Sequence, residues 1–477
     1  MTAVTEDAGK LANSVGLLMI RKVLGSVLSA LSSVVVVRSL SPDHFGAYAA
    51  GLAAYYLLQA LTEFGFGEVL GRALGQGSGA GAALGRLVLR VNLLWSGGVA
   101  VAGVVVAGFF AFGTIRSGTL LVMTPALALA GTSALRQFFY ARHEVGRMAA
   151  FDLSTSVAST VVIVALAVLD APAVAMAAAA SAAAVANSLL VLRASRRWLT
   201  PDAGAAAEPA PSARVLFRDA YPIGIASFLA TAYVSIDVVI LSSLFAADLV
   251  GQYASAVKVL SILTIFPGIV MSVALPQLSA DWGDPSRFGD LLTRMWHWFM
   301  SLVMPGLVIV AANATGVMTL LFGDAYAAAG AYLRILLVAG FVSMFSQLLG
   351  VVIVAAARAK WLVAQNVIAL VINVGGNLVI APRVGIEASA WLTVITEVTV
   401  CTGSWFVLRD RIPYGGLLRV SLLPLLAAAA AVASGAAFSA QPWVALPLSG
   451  VVFVVVLTLL RGWPSELVRM LPRTVKA

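Results

Sequence analysis

The chain has 477 residues, of which 61% are hydrophobic and 11% charged, with a formal net charge of +9. Those proportions exclude a soluble domain of this size, and apolar stretches of about 20 residues recur along the whole length. The basic balance reflects cytoplasmic loops and gives no reason to expect a nucleic-acid partner.

Strand alternation is absent, so the spans must satisfy their backbones as helices. The expected fold class is all-α, a polytopic membrane protein of fourteen transmembrane helices. In chain order they are 11–37, 45–70, 87–112, 120–140, 148–169, 173–192, 220–245, 253–277, 291–312, 327–355, 362–380, 386–408, 417–438 and 444–460. Internal prolines such as Pro125 and Pro305 are compatible with spanning helices, because neighbours can satisfy the freed carbonyls. The first span is too long for a signal-peptide core and lacks a cleavage site. Cys401 is the single cysteine, so no disulfide forms within the chain.

With the N-terminus in the cytoplasm, the inner loops hold most loop arginines, among them Arg72, Arg142, Arg193, Arg287, Arg358 and Arg409. The outer loops keep Arg38, Arg116 and Arg383. This bias predicts a multi-pass protein with both termini in the cytoplasm. The longest polar break, "RRWLTPDAGAAAEPAPSAR", is rich in Ala and Pro and reads as a cytoplasmic linker.

Two internal echoes bracket that linker. "FGAYAAGLAAYYLL" matches "VGQYASAVKVLSIL", with Gly46 and Tyr48 each 205 residues before Gly251 and Tyr253. A weaker one relates "GRMAAFDLSTSV" to "AKWLVAQNVIAL". The expected organisation is a six-helix bundle over 1–195, a linker over 196–215 and a second six-helix bundle over 216–412. Two additional helices and a tail occupy 413–477. A repeat pair predicts a binding site at the interface between halves.

"LSPDHFGAYA" resembles a turn of bacterial polysaccharide flippases of the Wzx type, in the multidrug/oligosaccharidyl-lipid/polysaccharide superfamily. "VSIDVVILSSLFAADLVGQYASAVKV", "LFGDAYAAAGAYLRIL" and "NVIALVINVGGNLVIAPRVGIEASAW" are similar to stretches at the same places in that family. The resemblance implies a bacterial cytoplasmic-membrane protein that moves undecaprenyl-diphosphate-linked oligosaccharide to the outer leaflet. The implied partners are the lipid-linked oligosaccharide, membrane lipid, and the polymerase and glycosyltransferases of polysaccharide assembly. Lipid II flippases, a sister group, carry basic residues on helices one and eight. Arg21, Lys22 and Lys258 fall on those helices here.

A charge at a helix centre costs about 2.5–3.5 kcal/mol on insertion scales, so each such residue calls for a reason. Arg21 and Lys22 either face a cavity or snorkel to the headgroups. Lys258 is deeper, about 12 Å from the nearer face at the helical rise, where snorkelling is harder. These three are the expected contacts for a phosphate, with Arg334 as a further candidate against an interfacial role. Arg136, near the inner end of the fourth span, reads as interfacial.

Asp237 and Glu397 are the acids deepest in spans and either pair with a cation or bind a coupling proton or sodium ion. Glu63 and Glu68 sit either at a cavity mouth or at an ordinary solvated interface. Asn366, Asn373 and Asn377 share a helical face and, with Gln347, either line a sugar site or join helices. "GQGSGAGAALGR" lacks the Lys-Ser/Thr ending of a phosphate loop, and the three histidines are scattered, so no cofactor or metal is expected.

The expected function is a flippase working by alternating access, not an enzyme. A drug exporter of the same superfamily should carry acids where these cations stand. A lipid II flippase is a close rival. A membrane enzyme of polysaccharide assembly would need a large outer loop, whereas the longest here, 313–326, carries Asp324 as its one acid.

Overall fold

The computed structural model describes residues 23–76, 81–110, 113–200, 212–264, 277–278, 280–356, 358, 360–438 and 441–470, and all regular structure among them is helical. Eleven of the described helices are long and apolar enough to cross a membrane. The chain divides into two compact units, Met1–Gly251 and Gln252–Ala477.

The first unit holds α1 (Val23–Ser39), α2 (Pro42–Thr62), α3 (Phe66–Gly75), α4 (Gly81–Phe109), α5 (Ile115–Ala141), α6 (Val145–Val168), α7 (Ala173–Leu199) and α8 (Ala213–Leu244). The opening turns of α9 (Ala247–Leu263) complete it. Helix α2 lies against α4, α5 and α8. It presents small buried residues, Gly46, Ala49, Ala50, Gly51, Ala53 and Ala54, that let neighbouring backbones approach. A Cβ at Gly46 would run into the carbonyl oxygen of Ala247, and a Cβ at Gly251 into that of Pro42. The glycines of the first internal echo therefore meet each other's helices.

The predicted span 45–70 is broken in the structure. Helix α2 stops at Thr62, Gly65 takes a left-handed φ of 84°, and α3 starts afresh at Phe66. Glycine is suited to that conformation, and a side chain there would strike the Ala220 carbonyl. The Trp95 indole donates to the Leu61 carbonyl at 2.7 Å, satisfying one of the groups freed at the end of α2. Phe66 and Leu70 of α3 are buried with Phe138, Phe139, Leu216 and Ala220.

The segment 196–215, expected as linker, is helical as far as Leu199. Trp198 holds this extension down, its ring 4.8 Å from that of Phe139, and Arg197 pairs with Glu144. Residues 201–211 lie outside the described residues.

The second unit continues α9 and adds α10 (Pro285–Ala312), α11 (Ala314–Phe322), α12 (Ala329–Ala355), α13 (Lys360–Val384), α14 (Glu387–Arg411), α15 (Tyr414–Ala436), α16 (Pro442–Leu459) and the short α17 (Ser465–Met470). Helix α14 packs against α12 and α13, while α15 and α16 pair with each other and lean on α10. A π-turn at Phe299–Val303, followed by Pro305, divides α10. The outer segment 313–326, expected as a loop, contains α11 and a 3₁₀ turn at Asp324–Tyr326. Its apolar residues Val317, Met318 and Phe322 are buried, which is why the chain coils there.

Candidate polar sites within the spanning helices

Charge inside a spanning helix is tolerated where partners neutralise it. In the first unit such a cluster forms from three helices. A 3₁₀ turn at Ala130–Leu135 interrupts α5 and sets Arg136 at the start of the helix's last segment. Its Nη1 donates to Asp152 Oδ2 at 2.9 Å and its Nη2 to Asp152 Oδ1 at 2.8 Å. Two parallel bonds of this kind are the strong, directional form of an Arg–carboxylate pair.

Asn187 of α7 closes the cluster. Its Oδ1 accepts from Arg136 Nη2 at 2.8 Å, and its Nδ2 donates to Asp152 Oδ1 and to Thr155 Oγ1, each at 3.0 Å. Side-chain exposure is 27% for Arg136 and 16% for Asp152, low enough for the pair to be strong and high enough for solutes to reach it. Glu63 and Tyr140 act electrostatically on the Arg136 charge, and Glu68 acts on Glu63. Glu63 and Glu68 are themselves exposed, at the break between α2 and α3. Arg136, expected to be interfacial, is thus the centre of a cluster with Asp152, Asn187 and Thr155, for which the sequence raises no expectation. The available signal was an Asp within the fifth span and the one Asn of an Ala-rich sixth span.

Arg21 and Lys22 lie outside the described residues. Lys258 is half-buried on α9, and among the described residues no hydrogen bond or ion pair engages its ammonium. Arg334 is exposed on α12, and Gln347 of the same helix is half-buried. Asp237 is buried on α8, where its Oδ1 accepts from the Val238 amide at 2.7 Å. Glu397 is half-buried on α14, and its carbonyl accepts from Ser346 Oγ at 3.4 Å.

The asparagines of α13 divide. The buried line of this helix runs through Gln365, Ala369, Asn373 and Asn377, with Asn366 half-buried beside it. Asn377 Nδ2 donates to Asn373 Oδ1 at 3.1 Å and to the Asn373 carbonyl at 2.9 Å, and its Oδ1 accepts from Ser389 of α14. Gln365 Nε2 donates to Ser404 Oγ at 3.1 Å, one more bond to α14. Gln365, Asn377 and the serines thus tie α13 to α14. Replacing Asn377 by leucine is expected to destabilise the second unit by about 1–3 kcal/mol, because Asn373 and Ser389 lose their buried partner. Thermal unfolding in detergent reads this directly, and an unchanged midpoint would remove the joining role.

Among the described residues no group of three His, Cys, Asp or Glu is placed to hold a metal ion.

The sequence profile of the family described as "Polysaccharide biosynthesis protein" matches residues 11–281, more than half of the chain. No curated protein matches the sequence significantly. Among solved structures the chain is similar to the lipid II flippase MurJ in an inward closed conformation, with a TM-score of 0.72 at 12% identity, covering 92% of this chain and 98% of that one. It is also similar to an inward-facing multidrug resistance MATE family transporter of the MOP superfamily, with a TM-score of 0.66 at 16% identity, over 83% of this chain and 96% of the other. A third similar structure is a MOP superfamily transporter from Pyrococcus furiosus, with a TM-score of 0.59 at 14% identity, covering 85% of this chain and 96% of that chain. Identities this low speak for the fold.

Proposed function

We propose, from the premise that this chain belongs to the polysaccharide biosynthesis protein family, that it flips a polyprenyl-diphosphate-linked oligosaccharide from the inner to the outer leaflet of the bacterial cytoplasmic membrane. It is a MOP-superfamily transporter, and alternating access to the two sides of the membrane is the mechanism proposed for it. Both termini are proposed to lie in the cytoplasm, on the side that carries most of the loop arginines.

The observation that carries the reading is Lys258. It is a half-buried cation on an apolar helix without a partner among the described residues. Keeping it there is unfavourable by about 2.5–3.5 kcal/mol on insertion scales, and a substrate phosphate would offset that whenever it binds. Arg21 and Lys22 are proposed as further phosphate contacts, and Arg334, Asn366 and Gln347 as the polar groups nearest the sugar, while Asn373 and Asn377 are proposed to join helices. Each negative charge moved outward across an inside-negative membrane gains about 2.3 kcal/mol per 100 mV, so the potential drives a diphosphate in the required direction. Asp237 and Glu397 are proposed to take a proton or sodium ion during the return of the empty protein, and Glu63 and Glu68 to stand at the entrance. The lipid-linked oligosaccharide is the partner of this cycle, with polymerase and glycosyltransferases acting before and after it.

Vesicles carrying the purified chain and a labelled polyprenyl-diphosphate oligosaccharide test the reading. Lys258→Ala is expected to lower the initial translocation rate about tenfold or more, as loss of one charge-assisted contact of about 1.5–3 kcal/mol requires. Lys258→Arg should keep much of it. Normal translocation by Lys258→Ala would end the proposal, and transport of lipid II in preference to the oligosaccharide would reassign the substrate.

A further inference from the structure

The second unit contains an apolar cleft that the proposed cycle does not use. It encloses about 500 Å³ between α10, α12, α14 and α15, with Trp296, Phe345, Cys401, Tyr414, Leu418 and Ser421 in its wall. That volume lies within the range of about 300–1,000 Å³ usual for small-molecule sites. Its hydrogen-bonding groups are occupied elsewhere. Trp296 Nε1 donates to Ser421 Oγ at 2.8 Å, Ser421 donates to the Leu417 carbonyl at 2.7 Å, and the Tyr414 hydroxyl donates to the Arg409 carbonyl at 3.0 Å. The wall therefore shows a ligand an apolar surface, in which water gains few partners.

One end of the cleft is marked by charge. Tyr414 ties it to the turn Arg409–Arg411, where Arg409 lies over the Phe406 ring at 4.9 Å and Arg411 over the Trp282 ring at 5.2 Å. Arg358 reaches the same helix end, donating to the Val407 carbonyl at 3.1 Å. Asp410, 3.9 Å from Arg409, offsets part of this charge. Tyr414, Trp361 and Trp405 are exposed nearby, the amphipathic rings that mark a membrane–water boundary. From that boundary the cleft runs inward. At 1.5 Å per residue, Ser421 lies about 10 Å along α15 from Tyr414, and Cys401 about 12 Å along α14 from Arg409.

A cationic rim above an apolar cleft matches an amphiphile with an anionic head and a hydrocarbon chain. We propose that the cleft is a binding site for an anionic membrane phospholipid, with one acyl chain against Trp296, Phe345 and Leu418 and the phosphate on Arg409 and Arg411. Binding of this kind would fix α15 against α10 and α12. The site is separate from Lys258 and stands whether or not the substrate proposed above is correct.

Quenching of tryptophan fluorescence by lipid brominated on its acyl chains tests this with the full chain in phosphatidylcholine vesicles. Subtracting the signal of Trp296→Phe isolates Trp296. Brominated phosphatidylglycerol is expected to quench Trp296 as though enriched about thirtyfold over brominated phosphatidylcholine, in keeping with two cations near the surface. The double variant Arg409→Gln/Arg411→Gln should abolish the difference while folding normally. Equal quenching by the two lipids would overturn the site. Displacement of brominated phosphatidylglycerol by trace polyprenyl phosphate, but not by excess unlabelled phosphatidylglycerol, would also overturn it and give the cleft to the substrate's tail.

Discussion

Replacing Asp152 by alanine is expected to destabilise the first unit by about 3 kcal/mol, the lower end of the range for breaking a buried ion pair. The lower end applies because Asp152 is 16% and Arg136 27% exposed, so water screens part of the released charge. The loss has two sources. Arg136 is left with the Asn187 amide oxygen as its remaining hydrogen-bond acceptor in the cluster, and Asn187 loses one of its two acceptors. Glu63 acts on the same guanidinium but is exposed, and stabilises it less. Unfolding midpoints in detergent measure the effect. Asp152→Asn should fall between wild type and alanine, since its amide oxygen still accepts one of the two guanidinium bonds.

The double variant Arg136→Met/Asp152→Leu separates attraction from mere occupancy. Apolar replacements of a buried pair are often neutral, so this variant should recover most of what Asp152→Ala loses. If the double variant is as unstable as the single one, the cluster acts through packing and not through charge. If it is stable yet inactive in translocation, the pair serves the cycle.

These two residues show where the sequence stopped being legible. Among the described residues a helix stands at the place of each predicted span, and eleven of these helices are long and apolar enough to cross a bilayer. The first is described from Val23 and the eighth through Leu263. The break at Gly65 was harder to read, because it depends on the Ala220 carbonyl of another helix. Helix α11 is not legible in the sequence because its nine residues fall far short of a span. The Arg136–Asp152–Asn187 cluster joins positions 16 and 51 residues apart, and no spacing along one helix signals such a meeting. Lys258 was visible because its signal is local, one charge in an apolar run. Asn366 and Gln365 are neighbours in sequence, yet Gln365 is the one that bonds to α14, through a serine the periodicity of α13 does not contain.

The echo between Gly46 and Gly251 predicts a repeat, and the structure gives it a second, steric meaning. Gly46→Ala and Gly251→Ala are each expected to cost about 3 kcal/mol, the top of the range for overpacking, because the obstruction is backbone. A flexible side chain could turn away, whereas the Ala247 and Pro42 carbonyls belong to turns of α9 and α2 and move only with their helices. Gly46→Val should yield little monodisperse protein. Gly97→Ala on α4 is the matched control, since no atom lies within 4 Å of the added methyl. There the same substitution should raise stability by up to about 1 kcal/mol through helix propensity. Size-exclusion yield and unfolding midpoint distinguish the two outcomes. If Gly46→Ala and Gly97→Ala behave alike, close approach of α2 and α9 is not what these glycines provide, and the echo returns to being a trace of duplication alone.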